Sequence, residues 1–166
     1  MTITINPYKT CYLFDVDGTL AEPKAQINEN FKKQFITWSQ NKQLFIATGS
    51  EYIKTKQQIS LEMINCFKAI FCCMGNEVRY PSGNILHKNE IIFPDQLEYD
   101  LSNLLQNSDF PYRTGNHIEY RTGMINFSIV GRNANPLQRK EYLEWDKLNS
   151  ERHQLVSFIN DTFHVQ

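Results

Sequence analysis

The stretch that decides the fold is Cys11-Tyr12-Leu13-Phe14-Asp15-Val16-Asp17-Gly18-Thr19-Leu20. Its first half is an apolar run typical of a buried strand, and Asp15-Val16-Asp17-Gly18 ends that strand in a loop. Two carboxylates two residues apart at a strand end can point toward one crevice, while Gly18 allows a tight backbone turn beside a ligand. The stretch therefore predicts a strand that is followed directly by candidate functional carboxylates.

Two more short apolar runs follow, Leu44–Ala47 and Ala69–Cys73, each preceded by a helical stretch. Strand, helix, strand, helix, strand is the opening of a doubly wound α/β sheet with three parallel strands. Ligands of such sheets bind beyond the carboxyl ends of the strands, where Asp15, Asp17 and Thr48 fall. We expect a partial Rossmann-like core domain over residues 1–75.

After Gly75 the pattern changes to hairpins alternating with helices. Turn residues predict hairpins around residues 81–84 and 122–123, and helices are expected after Pro94, from Asn135 and from Ser150. This mixture predicts an α+β cap domain over residues 76–166, which we expect to be incomplete.

Composition narrows the classes of partner. Among 166 residues, 17 Lys and Arg oppose 18 Asp and Glu, so the net charge of −1 gives no whole-chain charge imbalance that would favour nucleic acid. No apolar run approaches the roughly 18 residues that span a membrane, and residues 1–9 lack a signal-peptide layout. We expect a cytoplasmic protein that binds neither nucleic acid nor membrane.

The apolar positions also predict parts of the core. Phe31, Phe35 and Trp38 are spaced as one stripe of a helix and are expected to pack inward. The four cysteines contain no C-x-x-C pair, and we expect buried thiols at Cys11, Cys66, Cys72 and Cys73.

The acid pair suits phosphoryl transfer. One carboxylate can attack phosphorus, while the other gives a proton to the leaving oxygen and later takes one from the incoming hydroxyl. Mg²⁺ is expected beside Asp15 and Asp17, because a carboxylate attacking a phosphate dianion must overcome charge repulsion. The alternative reading is an ordinary Asp-Gly turn at a strand end.

The run Phe14 to Leu20 resembles the first motif of the haloacid dehalogenase superfamily of phosphotransferases. The resemblance implies that Asp15 is the nucleophile and Asp17 the general acid/base, and that both bind Mg²⁺. Thr48 matches the second motif of that superfamily, a hydroxyl that hydrogen-bonds the transferring phosphoryl group.

The segments Asp15–Lys24, His117–Arg132 and Gln138–Tyr142 resemble eukaryotic-type phosphomannomutases. Lys24 then contacts phosphate where that family has Arg, as a point charge and not a bidentate fork. The resemblance implies a substrate pocket formed by Arg121, Met124, Asn126, Arg132 and Arg139, in which the arginines hold the distal phosphate.

The implied activity interconverts mannose 6-phosphate and mannose 1-phosphate through an aspartyl phosphate, feeds GDP-mannose synthesis, and uses a hexose bisphosphate activator. A homodimer through the cap is also implied. Two other functions stay open: a Mg²⁺-dependent sugar-phosphate phosphatase, which uses the same residues with water as acceptor, and an inactive relative that binds sugar phosphates.

The resemblance also implies parts that this sequence lacks. The family continues with further cap strands, a Lys and a Gly-Asp motif, and no Gly-Asp pair occurs here. Gly75-Asn76-Glu77 stands where the family has an acid-Asn-Gly hinge. A three-stranded core leaves a sheet edge exposed. We therefore expect a fragment of a longer product, a second polypeptide that supplies the rest, or a copy without activity.

Overall fold

The computed structural model describes residues 2–23 and 25–163, and two sheets order the described elements. A five-stranded sheet has the order β1-β2-β3-β4-β5, and β6 and β7 form a separate pair. The strands are β1 Cys11–Phe14, β2 Gln43–Ala47, β3 Ala69–Cys72, β4 Glu77–Arg79, β5 Ile85–Lys88, β6 Ile118–Arg121 and β7 Met124–Phe127. The helices are α1 Glu29–Ser39, α2 Tyr52–Ile64, α3 Asp95–Asn107, α4 Pro136–Asn149 and α5 Glu151–Phe163.

The predicted α/β class is confirmed by the first three strands. β1, β2 and β3 are parallel, with Phe14 opposite Ile46 and Ala47 opposite Phe71. β2 is almost wholly buried, as expected for a central strand between two neighbours. The tips of β1 and β2 therefore lie side by side at one edge of the sheet.

The structure corrects the placement of the first hairpin, which the sequence analysis assigned to the cap. β4 and β5 extend the core sheet, because β4 pairs antiparallel with β3. The reversal runs through three residues with left-handed backbone, Cys73, Met74 and Gly75. Local turn signals predict a hairpin without saying which sheet edge it joins.

The chain separates into two compact units. The first contains the described residues up to Ile91 together with Arg121–Met124, and the second contains Ile92–Tyr120 and the described residues from Ile125 onward. These units do not divide at residue 76. The wider assignment of a core and a cap domain stays a prediction.

The first unit is built around a cluster of aliphatic and aromatic side chains beneath the sheet. Phe35 is buried as predicted, but Phe31 and Trp38 are each 40% exposed. The reason is that β1 is the edge strand, where Leu13 is 64% exposed and a groove of about 560 Å³ lies beside Tyr12 and the α1 aromatics. The expected open sheet edge is confirmed for the described residues.

The second unit has its own small core, in which Phe110, Ile129, Val130 and Ala134 are buried. The predicted helix start at Asn135 is confirmed as a capping box: Asn135 Oδ1 accepts the Gln138 N–H and Gln138 Oε1 accepts the Asn135 N–H, both at 2.9 Å. α3 buries Leu97 and Leu101, as its apolar stripe predicts.

The cysteines divide by position in the sheet. Cys72 and Cys73 are buried as predicted, Cys66 is half-buried, and the expectation is wrong for Cys11, which is exposed because it begins the edge strand. Burial raises the pKa of the Cys72 thiol to about 12, with the Glu77 carboxylate adding to the rise. Burial likewise raises the pKa of Cys73.

We expect iodoacetamide at pH 8 to label Cys11 far faster than Cys72. A thiol with a pKa near 12 is thiolate in only about one molecule in ten thousand at that pH, and burial blocks the reagent as well. Peptide mass spectrometry of timed samples measures the order. Equal labelling of both cysteines in native buffer would contradict the packing of β3, and labelling in urea is the control.

Ser60 interrupts α2 in a strained conformation. Its φ of 66° and ψ of 157° lie where glycine is the usual residue. Its buried Oγ has no hydrogen-bond partner among the described residues. Both features destabilise the folded state, so a substitution that removes them should raise the free energy of unfolding.

The substitution Ser60→Gly is expected to raise the free energy of unfolding by about 1 kcal/mol, since relief of strain worth about 1–3 kcal/mol exceeds the added chain entropy of glycine. Urea unfolding followed by circular dichroism measures it. Ser60→Ala is the matched control, because it removes the hydroxyl and keeps the Cβ. A glycine variant no more stable than the alanine variant would show that the backbone is unstrained.

Candidate active site

The loop after β1 is held by one buried residue. Val16 is fully buried, and its carbonyl accepts the N–H groups of Thr19, Leu20 and Ala21 at 3.2, 3.0 and 3.0 Å. Gly18 has a φ of 79°, and its N–H donates to Ala21 O at 2.7 Å. The loop is therefore closed on itself, with exposed acids on either side of the buried valine.

The two carboxylates have different hydrogen-bond partners. Asp15 Oδ1 accepts the backbone N–H of Val16 at 2.7 Å. Asp17 Oδ1 accepts a hydrogen bond at 2.7 Å from the side-chain amide of Gln58, a nearly buried residue of α2. The sequence analysis missed Gln58. The available signal was a polar side chain among the apolar positions of α2, but Asp17, its partner, lies 41 residues away along the chain.

Thr48 follows β2 and is 5% exposed. The register places Phe14 opposite Ile46, so Asp15 and Thr48 follow the ends of neighbouring strands, which lie about 4.8 Å apart. Thr48 Oγ1 accepts the Ser50 N–H at 3.1 Å, which leaves its hydroxyl proton available as a donor. The structure therefore brings Asp15, Asp17 and Thr48 to one edge of the sheet.

Arg121 and Met124, predicted to share a pocket with the later arginines, belong to the first compact unit. Arg121 Nη1 donates a hydrogen bond to Gly49 O at 2.5 Å. Gly49 directly follows Thr48 in the chain. Met124 packs against the core cluster of that unit. These contacts place the Arg121 guanidinium at the loop after β2.

The other three predicted substrate residues lie together in the second unit. Arg132 Nη2 and Asn126 Nδ2 approach the same oxygen, Glu119 Oε2, at 3.1 and 3.4 Å. Arg139 donates to the carbonyls of Arg132 and Ala134, each at 3.0 Å. The Arg132 guanidinium is thus paired with the Glu119 carboxylate, whereas the Arg139 guanidinium donates to backbone carbonyl groups.

Glu119 was not among the predicted site residues. The signal for it was its place two residues before Arg121 in β6, on the same side of that strand. Its ion pair with Arg132 fixes the guanidinium at moderate exposure, 35% for the arginine side chain. The predicted phosphate contact of Lys24 lies outside the described residues.

The acid pair suits a hard cation. Mg²⁺ is held by one or two carboxylates together with water and substrate phosphate, and the exposed oxygens of Asp15 and Asp17 are donors of that kind. Within residues 2–23 and 25–163, no group of three or more His, Cys, Asp or Glu side chains forms a complete protein cage. No helix in the same ranges is long and apolar enough to cross a membrane.

Comparison with known proteins gives a family match over most of the chain. The model of the eukaryotic phosphomannomutase family matches residues 31–166. A phosphomannomutase from Encephalitozoon cuniculi is 32% identical over 161 residues, covering 93% of this chain and 62% of that protein. A phosphomannomutase from Triticum aestivum is 27% identical over 157 residues, covering 91% and 63%.

Among solved structures, a haloacid dehalogenase-like hydrolase from Bacteroides thetaiotaomicron matches with a TM-score of 0.44 and 20% identity, covering 59% of this chain and 38% of that one. The chain spans less than two thirds of the length of the phosphomannomutases it matches. The match to the family model covers more than half of the chain and includes His117–Arg132 and Gln138–Tyr142, two of the three segments on which the resemblance rested. The chain therefore belongs to the eukaryotic phosphomannomutase family.

Proposed function

We propose that this chain is a phosphomannomutase-like phosphotransferase that interconverts mannose 6-phosphate and mannose 1-phosphate in the cytoplasm and so feeds GDP-mannose synthesis. The observation that carries the proposal is the alignment of Asp15, Asp17 and Thr48 at one sheet edge in a member of this family. A hexose bisphosphate is the proposed activator.

In the first step a carboxylate oxygen of Asp15 attacks phosphorus of the bisphosphate, and the bond from phosphorus to the sugar oxygen breaks. Asp17 gives its proton to that oxygen, so the hexose monophosphate leaves with an uncharged hydroxyl group at the reacting position. In the reverse step a hydroxyl of the monophosphate attacks the aspartyl phosphate and Asp17 recovers a proton. The Thr48 hydroxyl donates to an oxygen of the transferring group.

Asp15, and Asp17 through an oxygen that does not carry the transferred proton, would hold Mg²⁺, which when bound would neutralise charge between the attacking carboxylate and the phosphate dianion. The second unit contributes the anion site: Asn126, Arg132 and Arg139 bind the distal phosphate of the sugar. Charge-assisted hydrogen bonds from guanidinium are the strong kind for such a group. Arg121, whose guanidinium lies at the loop after Thr48, is proposed to bind phosphate as well.

A phosphatase is the second candidate, and the exposure of both acids favours it. Water that reaches Asp15 can take the phosphoryl group from the aspartyl phosphate, with Asp17 as the base. The exposed edge of β1 also supports the proposal that a second polypeptide pairs with this strand. A homodimer through the cap is proposed as well, and sedimentation with and without candidate partners measures both.

Asp15→Asn is expected to abolish turnover while leaving the fold intact, because the amide is no longer a nucleophile. The assay follows mannose 6-phosphate and free phosphate from mannose 1-phosphate with Mg²⁺ and glucose 1,6-bisphosphate, after circular dichroism has shown a folded chain. Mannose 6-phosphate formed by the wild type and not by the variant supports the mutase. Free phosphate alone selects the phosphatase, and no turnover from folded wild type refutes both.

Arg132→Ala is expected to weaken binding of mannose 6-phosphate by about 1.5–3 kcal/mol, or about 10- to 150-fold, since it removes charged hydrogen bonds to phosphate. Isothermal titration calorimetry measures the dissociation constant. Lys147→Ala is the matched control, because it removes one positive charge from α4 away from the Glu119 cluster. Equal weakening in both variants would indicate a general charge effect and no phosphate site at Arg132.

A further inference from the structure

Gln58 connects α2 to the acid loop through its side chain. It is 9% exposed, and its Nε2 donates to Asp17 Oδ1 at 2.7 Å. A carboxylate only accepts hydrogen bonds, so the amide must present its N–H and not its carbonyl oxygen toward Asp17. The amide of glutamine does not titrate, and it therefore cannot itself serve as acid or base.

The backbone of Gln58 holds the far end of the same loop. Gln58 O accepts the N–H of Ile27 at 2.8 Å, and Ile27 is buried. This carbonyl is free to leave the helical pattern because Ser60, two residues later, has a non-helical backbone. One residue thus fastens the loop segment at Asp17 and at Ile27.

The side-chain bond distinguishes the two oxygens of Asp17. Oδ1 accepts the N–H of Gln58, whereas no side chain among the described residues donates to Oδ2, so the two oxygens differ in their surroundings and the carboxyl group has a fixed orientation. A fixed carboxyl orientation shortens the search for a productive geometry in proton transfer. Removal of the donor leaves Asp17 exposed and able to rotate.

We propose that Gln58 is a positioning residue for Asp17: its hydrogen bond to Oδ1 fixes the orientation of the carboxyl group toward the bridging oxygen of the sugar phosphate. This inference rests on the proposed phosphoryl transfer. It assigns Gln58 no contact with substrate, and its effect runs entirely through Asp17.

The test uses two phosphoryl donors whose leaving groups differ in their need for protonation by an acid. A sugar oxygen is a strongly basic leaving group and needs the proton of Asp17, whereas the nitrophenolate of p-nitrophenyl phosphate leaves without one. Gln58→Met keeps the length of the side chain and the backbone bond to Ile27 but removes the donor. Gln57→Met, an exposed neighbour on α2, is the matched control.

The Gln58→Met variant is expected to lower kcat for the hexose bisphosphate at least tenfold with KM unchanged. Its rate of nitrophenolate release should stay within about twofold of wild type, and Gln57→Met should match wild type with both donors. Gln58→Glu should also lose sugar turnover, because it places a second carboxylate against Asp17. Equal losses with both donors would mean that Gln58 is only structural, and no loss would overturn the inference outright.

A wild-type chain inert toward both donors would refute the proposed function and this inference with it. Active wild type with an indifferent Gln58→Met variant would refute the inference alone. The hydrogen bond has its own measurement, the ¹⁵N-edited spectrum of side-chain amides, in which Asp17→Ala should move the Gln58 resonances and leave those of Gln57 in place. Unmoved Gln58 resonances would overturn the inference whatever the activity.

Discussion

The acid loop depends on the burial of a single side chain, Val16, between two exposed aspartates. Burial fixes the valine backbone, and its carbonyl collects three N–H groups of the residues that follow. Asp15 and Asp17 are therefore displayed by a turn that cannot open without exposing the valine. Parallel pairing of β1 with β2 then brings Thr48 to the same edge, so one apolar contact and one strand register set the positions of these three candidate site residues.

Local patterns predicted the elements of the chain well. The three parallel strands, both hairpins and the capped start of α4 all follow from residues close together in sequence. Position in the sheet was harder, because strand pairing is non-local. The hairpin β4–β5 joined β3 through left-handed backbone at Cys73 and Met74, where a side chain normally disfavours that conformation. A propensity argument gives no reason to expect such a turn.

The candidate site was predictable in its residue types and less so in its grouping. Asp15, Asp17 and Thr48 meet as expected because strand tips converge in a parallel sheet. The resemblance placed Arg121 in one phosphate pocket with Arg132, and this grouping stays a prediction; the structure shows the Arg121 guanidinium bonded to Gly49 O. The hydrogen bond between Gln58 and Asp17 was not predicted, since the two residues lie 41 positions apart in the sequence. A long polar side chain can bond to a residue far away in the sequence, and the periodicity of apolar residues gives no information about that partner.

The open edge of β1 links folding to association. An edge strand offers unpaired backbone groups, and here its neighbour groove is lined by Tyr12, Phe14 and Trp38. A polypeptide that pairs there binds the folded chain and not the unfolded one, so each tenfold rise in its free concentration above the dissociation constant adds about 1.4 kcal/mol to stability. The melting temperature of the chain would thereby depend on the concentration of any polypeptide that pairs with β1, the strand that precedes Asp15 and Asp17.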